Sequence, residues 1–318
     1  MKPDIQDPKV KELAALLKAR EGQRHVVVIQ DFPDPDAISC AFAYRMIAEE
    51  YNIQTDVVYN GRISHQENLA LINLLDIEIH NCKVSPMDLS RFDGAVFVDG
   101  QGTTSSLTER LTAAQVPVLV VVDHHDLQEG VTAQFTDMRP SGSCASIFAH
   151  YLHSGLLTLR EGHPAHRRLA TALLHGILSD TGSMIRAKPF DFAAASLLQG
   201  LINQDLLVEI MHQRRSHKVM EVIRLALANR VSREGYCLSG VGYLRAEERD
   251  AIPQAADFLL TEDSVHTAIV YGVVAHADDT ESIHGLVAAA LVHDLHQQVL
   301  VDQSLQQAGG GEVERLGP

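Results

Sequence analysis

Tryptophan is absent from the 318 residues, and aromatic residues make up only 5 % of them. Any core must therefore be built from Leu, Ile, Val and Ala, which a hydrophobic content of 46 % allows. Positive charge is scarce: 26 Lys and Arg stand against 41 Asp and Glu, for a formal net charge of −15. Duplex nucleic acid is bound by neutralising phosphates with cations, so this balance argues against that function. A small phosphorylated substrate stays open, because a local metal cluster reverses the sign of the field within one cleft. Only four cysteines occur, Cys40, Cys82, Cys144 and Cys237, and none forms a C-x-x-C pair. No disulfide framework is expected from them, and reduced thiols point to a cytoplasmic protein. No apolar run approaches the roughly 20 residues of a membrane span. Residues 1–20 mix Asp, Lys and Glu and lack a signal-peptide core.

What is present is a regular alternation. Val26–Ile29, Thr55–Tyr59, Gly94–Val98 and Val118–Val122 are short, apolar and β-branched, the pattern of strands buried on both faces. Between them the spacing predicts helices over 8–20, 37–51 and 65–75 and one ending near 114, with a short strand at 77–79. This β-α-β alternation implies an α/β domain with a doubly wound parallel sheet. From Ser143 the chain turns helical, over 143–154, 163–179, 191–201 and 204–229. The last of these is basic around Arg214, Arg215 and Lys218. β-rich stretches return at 231–242, 265–275 and 283–292 around a helix at 247–260, and read as a smaller α+β domain. The expected division is a domain over 1–190, a helical connector over 191–229 and a second domain over 230–318.

Carboxylates and imidazoles gather at the ends of these elements. Asp34 and Asp36 lie in Phe32-Pro33-Asp34-Pro35-Asp36, just after the first strand. The prolines fix φ and keep the segment stiff and extended. Taken alone, such a turn more often supplies a helix cap. Asp99 ends a second strand, and Asp123-His124-His125 ends a third. Asp180 closes a long apolar helix in Asp180-Thr181-Gly182. Each string is unremarkable by itself. In an open α/β sheet, however, ligands bind beyond the carboxyl ends of the strands. Four such strings predict one cation site assembled from distant pieces of chain. Weaker candidates for meeting a phosphate are Ser143 at a helix start, Arg186 and Lys188 after Asp180, and the triple glycine Gly309-Gly310-Gly311. His163 and His166 read as surface residues.

In order and content these strings resemble the DHH phosphoesterase family, named for its Asp-His-His motif. The family pattern runs His-x-Asn-Pro-Asp-x-Asp-Ala, a strand-end Asp, Asp-His-His and Asp-Thr-Gly. Here it is met by Pro33-Asp34-Pro35-Asp36-Ala37, Asp99, Asp123-His124-His125 and Asp180-Thr181-Gly182. The resemblance implies that residues 1–190 are the metal-binding domain and 230–318 the substrate-binding domain. It implies two Mn²⁺ ions, with Mg²⁺ or Co²⁺ as alternatives. Asp34 would bind the first, Asp99 would bridge, and Asp36, His124 and Asp180 would complete the second. Asp123 would orient His124, and His125 would face the scissile phosphate as a proton donor. The catalytic set is thus His125, Asp99 and Asp123, and the substrate-binding candidates are Arg186, Ser143, Gly309, Gly310 and Gly311.

The activity implied is Mn²⁺-dependent hydrolysis of small nucleotides: short oligoribonucleotides, 3′,5′-bisphosphonucleosides, or cyclic and linear dinucleotides. The resemblance is to the branch of oligoribonucleases and 3′-phosphoadenosine-5′-phosphate phosphatases. The expected partner is a small nucleotide or a short single-stranded oligonucleotide, with no duplex and no membrane, and a homodimer is compatible. Two departures stand out. The family's leading histidine falls at Gln30, whose neutral oxygen is a weak ligand, so the first metal position is expected to be weaker or differently occupied. Asp31 is adjacent, but strand alternation points it the other way. The triple glycine is followed by Glu312 where the family carries His or Arg. Both departures motivate an alternative, a nucleotide-binding protein with weakened or lost catalysis.

Overall fold

The structure, a computed structural model, describes residues 7–63, 65–128, 132–245, 248–275, 285–292 and 299–301, with side chains described as far as residue 273. The chain divides into two compact units, residues 1–63 with 67–213, and residues 64–66 with 214–318. In the first, strands β1 (Arg24–Val28), β2 (Gln54–Tyr59), β3 (His80–Asn81), β4 (Gly94–Val98), β5 (Val118–Asp123) and β6 (Phe135–Met138) form one sheet. All pairings are parallel and the order is β3-β2-β1-β4-β5-β6. Helices α1 (Pro8–Lys18), α2 (Pro35–Glu50), α3 (Gln66–Leu75), α4 (Leu107–Ala113), α5 (Cys144–His153), α6 (Pro164–Asp180), α7 (Pro189–Gln199) and α8 (Gln204–Met211) accompany it. The fold class read from the sequence is the one observed.

Side-chain alternation places the core on both faces of this sheet. Val27, Ile29, Val96, Val98, Val120 and Val122 join one cluster, with residues of α2, α5 and α6. Val26, Val28, Ala95, Phe97 and Val121 join the other, with Leu107 and Leu111 of α4. Two buried faces explain why the strands read as unbroken apolar runs. Helix α2 is buried all round: from Pro35 to Ala48 only Arg45 is not buried. Its small residues admit close neighbours. A Cβ built on Gly176 of α6 would fall 2.6 Å from Ser39 Oγ. The strand order reverses between β1 and β4, so the segments after these two strands flank the switch point at which α/β sheets bind ligands.

Several boundaries differ from expectation. The short strand at 77–79 lies instead at His80–Asn81, while Ile77 is buried beside α3, its N–H bonded to Ile72 O. Strand β6 was not expected, because a four-residue edge segment carries little periodic signal. The expected helix over 204–229 is two helices, α8 and α9 (His217–Asn229), because Ser216 caps a new start by accepting from Val219 N. Ala194 and Leu198 of α7 and Leu207 and Ile210 of α8 belong to the first core, so these helices pack there, where a connector was expected. His166, read as a surface residue, is buried, its Nδ1 accepting from Arg160 N at 2.8 Å.

In the second unit α9 and α10 (Ala251–Leu259) cover one face of a five-stranded mixed sheet. Its strands are β7 (Val231–Arg233), β8 (Tyr236–Arg245), β9 (Thr267–Ala275), β10 (Gly285–Val292) and β11 (Val299–Val301), in the order β11-β10-β9-β8-β7. Strands β8 and β9 are parallel; the other pairs are antiparallel. The β7–β8 hairpin turns through Glu234 and Gly235, both at positive φ, as a tight two-residue connection requires. Among the described residues no helix is long and apolar enough to cross a membrane.

Candidate metal centre

Asp34 and Asp36 share one turn of backbone but have different surroundings. Asp34 is the N-cap of α2, its Oδ1 accepting from Ala37 N at 2.9 Å, and Pro35 begins the helix with its preset φ. The Gln30 side chain also favours the ionised form of Asp34. Asp36 is fully buried and faces the start of α5, whose free N–H groups receive it: Cys144 N lies 2.6 Å from Oδ2 and Ala145 N 2.7 Å from Oδ1. Desolvation, followed by the charges of Asp99 and Asp180, raises the pKa of both carboxyl groups well above the carboxylate range.

Asp99 follows β4 with φ at 52°, a left-handed backbone that a non-glycine residue adopts at a cost. It is buried, and neither carboxyl oxygen has a hydrogen-bond partner among the described residues. His124 follows β5. Its Nδ1 lies 3.3 Å from Ser141 O and donates there, which turns Nε2 toward the carboxyl groups. That nitrogen is also buried without a hydrogen-bond partner. It stands 3.4 Å from Asp99 Oδ1, 3.3 Å from Asp180 Oδ2 and 3.9 Å from Asp36 Oδ2. Ligand atoms of Asp36, Asp99, His124 and Asp180 all lie within 4.8 Å of one another. Burial alone would lower the His124 pKa, but Asp180, Asp99 and Asp36 push it up to about 12.

Asp123, Oδ1, accepts from His124 N at 2.8 Å, His125 N at 3.3 Å and His125 Nδ1 at 2.7 Å. Its Oδ2 accepts from Gln101 Nε2 at 2.8 Å. Burial opposes its ionisation, but these hydrogen bonds outweigh burial and hold the carboxyl below the usual range. Through the same bond Asp123 raises the pKa of His125, whose ring is half exposed. Asp123 thus fixes both histidine backbones and one histidine ring. It also joins a second cluster of possible ligand atoms with Asp99, His124 and His125.

The remaining candidates fall elsewhere. Asp31 accepts from Ser106 N at 3.2 Å, so it is tied to the loop before α4. Ser143 is buried as the N-cap of α5, its hydroxyl accepting from Ser146 N. Arg186 is exposed and donates to the main-chain O of Asp180 at 3.0 Å. Lys188 Nζ donates to Pro140 O and Ser141 O. Gly309, Gly310 and Gly311 lie outside the described residues. Sequence reasoning missed Gln101, which is buried, donates to Asp123 and accepts from Gln128 N at 2.8 Å. It missed Asp191 as well. This buried residue accepts from Gly142 N, Ser146 Oγ and Lys188 N and so fixes the turn that carries Ser141 O. Neither position carries a motif; only the three-dimensional contacts identify them.

A family model, the DHH family N-terminal domain, matches residues 25–177. The chain carries a DHH-family domain. The matched span takes in Gln30, Asp34, Asp36, Asp99 and the Asp123-His124-His125 string and ends just short of Asp180. Among curated proteins an uncharacterised protein, MJ1633 of Methanocaldococcus jannaschii, is 37 % identical over 245 residues, covering 76 % of this chain. The chain spans about half of that relative, 48 % of its length. Among solved structures an exopolyphosphatase-related protein from Bacteroides fragilis matches with a TM-score of 0.70 over 89 % of this chain and 83 % of that one. At 13 % identity this likeness concerns the fold. The DHH string itself divides its work here: the Asp orients, the first His joins the carboxyl cluster, and the second His is held at its rim.

Proposed function

We propose that this chain is a divalent-metal-dependent phosphoesterase acting on small nucleotides. The observation that carries the reading is the set of buried, unpartnered ligand atoms, Asp99 Oδ1 and Oδ2 and His124 Nε2, converging with Asp36 and Asp180. Burying polar atoms without partners is costly, and a cation removes that cost. Asp36, Asp99, His124 and Asp180 would hold one ion, and Asp34 with Asp99 and the Gln30 amide a second, weaker one. Hard carboxyl oxygens with one imidazole suit Mn²⁺, with Mg²⁺ or Co²⁺ as substitutes. Divalent cations there would polarise a phosphoryl oxygen and lower the pKa of water. The chain's own residues do the rest. Asp123 keeps a proton on His125 Nδ1 and raises the ring's basicity, so that His125 Nε2 holds the proton a leaving alkoxide needs. Four free, buried cysteines support a reducing compartment.

The test is hydrolysis of a short oligoribonucleotide and of a 3′,5′-bisphosphonucleoside with Mn²⁺, in the wild type and in Asp99→Asn. The fold shared with an exopolyphosphatase-related protein makes inorganic polyphosphate the comparison substrate. Asp99→Asn is expected to lose at least 100-fold in rate, about 2.7 kcal/mol of barrier. Equal rates in the two proteins overturn the reading. One observation favours a second reading, a nucleotide binder with weakened turnover: position 30, beside Asp34, carries a neutral glutamine where the family has an imidazole. A Gln30→His variant that gains both metal affinity and rate identifies a weakened enzyme.

A further inference from the structure

Most of what holds Asp123 is local. Its Oδ1 accepts from His124 N, His125 N and His125 Nδ1, all within the Asp123-His124-His125 string. Its Oδ2 is held from another strand, by Gln101. Strands β4 and β5 end level, with Val98 beside Val122 and Asp99 N donating to Val122 O at 2.9 Å. The loops that leave them therefore run side by side, and the Gln101 side chain, 6 % exposed, crosses from the first to the second. Its whole amide is used there. Nε2 donates to Asp123 Oδ2 at 2.8 Å and to Asp126 O at 3.0 Å, and Oε1 accepts from Gln128 N at 2.8 Å. These partners lie on both sides of His125 in the chain. At the surface a hydrogen bond between Thr103 Oγ1 and the Gln128 side chain joins the same two loops. The His125 ring is half exposed, and among the described residues its hydrogen-bond partner is Asp123. Its direction therefore follows from how Asp123 and the loop are held.

We infer that Gln101 is a positioning residue: it is the buried template around which the loop after β5 folds, and so it fixes where His125 stands relative to Asp99. Asp99 and Gln101 are two residues apart on one loop, so a single short piece of chain carries both a cluster carboxyl and the anchor of the histidine. The inference rests on the phosphoesterase reading, in which His125 serves as the proton donor. In that step the ester P–O bond breaks and the leaving oxygen keeps the electron pair. It takes the proton from His125 Nε2, while water supplies the oxygen that replaces it and a proton that restores the imidazole. A donor works only within hydrogen-bond reach of the atom it protonates, and a misplacement of about 1 Å costs on the order of 100-fold in rate. A glutamine that merely closed the loop would affect stability and not this one proton.

The test uses the full chain and Gln101→Met, which nearly keeps the volume and removes all three bonds. Two substrates separate positioning from support. A ribodinucleotide releases an alkoxide, which needs the proton; thymidine 5′-(4-nitrophenyl) phosphate releases a nitrophenolate, which does not. With Mn²⁺, Gln101→Met is expected to lower kcat for the dinucleotide about 10- to 100-fold, with KM changed less than about twofold and the nitrophenyl ester cleaved at nearly the wild-type rate. Added to His125→Ala it is expected to cost nothing further on the dinucleotide, because both residues serve one proton transfer. Urea melts check folding. If the Met variant unfolds, Gln101→Asn, with the same amide one methylene short, takes its place. The inference is overturned if both substrates slow alike, if KM alone rises, or if the losses of Gln101→Met and His125→Ala multiply. If the wild type cleaves neither substrate, the phosphoesterase reading falls, and the placement of His125 is read by magnetic resonance without substrate. In protein made with isotope-labelled histidine, the Nδ1–H signal of His125, identified by its loss in His125→Ala, is expected to weaken through solvent exchange in Gln101→Met. A signal as strong as that of the wild type overturns the inference on its own.

Discussion

At Asp99 two local costs coincide. Its left-handed backbone costs about 1–3 kcal/mol, and its desolvated oxygens add to that. A site built at such cost suits a cation, and His124 sets the pH dependence of cation binding. Its metal-free pKa of about 12 lies far above the unfolded value near 6.5. The proton is therefore bound in the folded, metal-free protein from acid pH up to about 12, and the stability it contributes is fully present below 6.5 and lost only as pH rises through 12. A cation that ligates Nε2 must displace that proton. Mn²⁺ binding is thus expected to release at least one proton per ion between pH 7 and 9 and to tighten by about tenfold per pH unit. Calorimetry in two buffers of different ionisation enthalpy measures the release. No proton released would mean that His124 is not a ligand.

Among the elements, the start of α5 bears on both halves of the cluster. Its N–H groups hold Asp36, and the turn before it supplies Ser141 O to His124. That turn is fixed from α7 by Asp191, whose oxygens accept from Gly142 N at 2.8 and 3.0 Å, Ser146 Oγ at 2.6 Å and Lys188 N at 2.7 Å. Asp191→Ala leaves several buried donors unpaired and is expected to cost about 3 kcal/mol or more, read as a lower urea midpoint at unchanged slope. Gly142→Ala is expected to act on the same contact, since a Cβ there would meet Asp191 Oδ2 at 2.5 Å and Thr181 Cγ2 at 2.8 Å. Full stability in both variants would show that the turn holds by other means. The contrast with what was legible beforehand has a physical basis. Valine runs announce strands because both sheet faces are buried, and Pro35 announces the start of α2 because its φ is preset. Asp36, Asp99, Asp123, His124 and Asp180, which share the two clusters of possible ligand atoms, were legible because they lie at the ends of regular elements; Asp34, read alongside them, is in neither cluster. Asp191 and Gln101 were not, because a residue that acts on a turn 49 positions away, or on a carboxyl 22 positions away, leaves no periodic trace. Ser143 offered a hydroxyl to read as phosphate-binding, but α5 consumes it as a cap.

For the whole molecule, each unit has its own core. The clusters on the two faces of the parallel sheet lie in the first, and the cluster formed by α9, α10, β8 and β9 lies in the second. Both groups of possible ligand atoms belong to the first unit alone. A ligand stabilises only the cooperative unit that binds it, by RT ln(1 + [L]/Kd). Calorimetry is therefore expected to resolve two transitions, of which Mn²⁺ raises one. At a concentration 100 times its Kd the ion adds about 2.7 kcal/mol, or about 5–10 °C for a unit of this size. Asp99→Asn should abolish that shift and leave the other transition where it was. A single transition that Mn²⁺ raises as a whole would mean that the two cores melt as one cooperative unit.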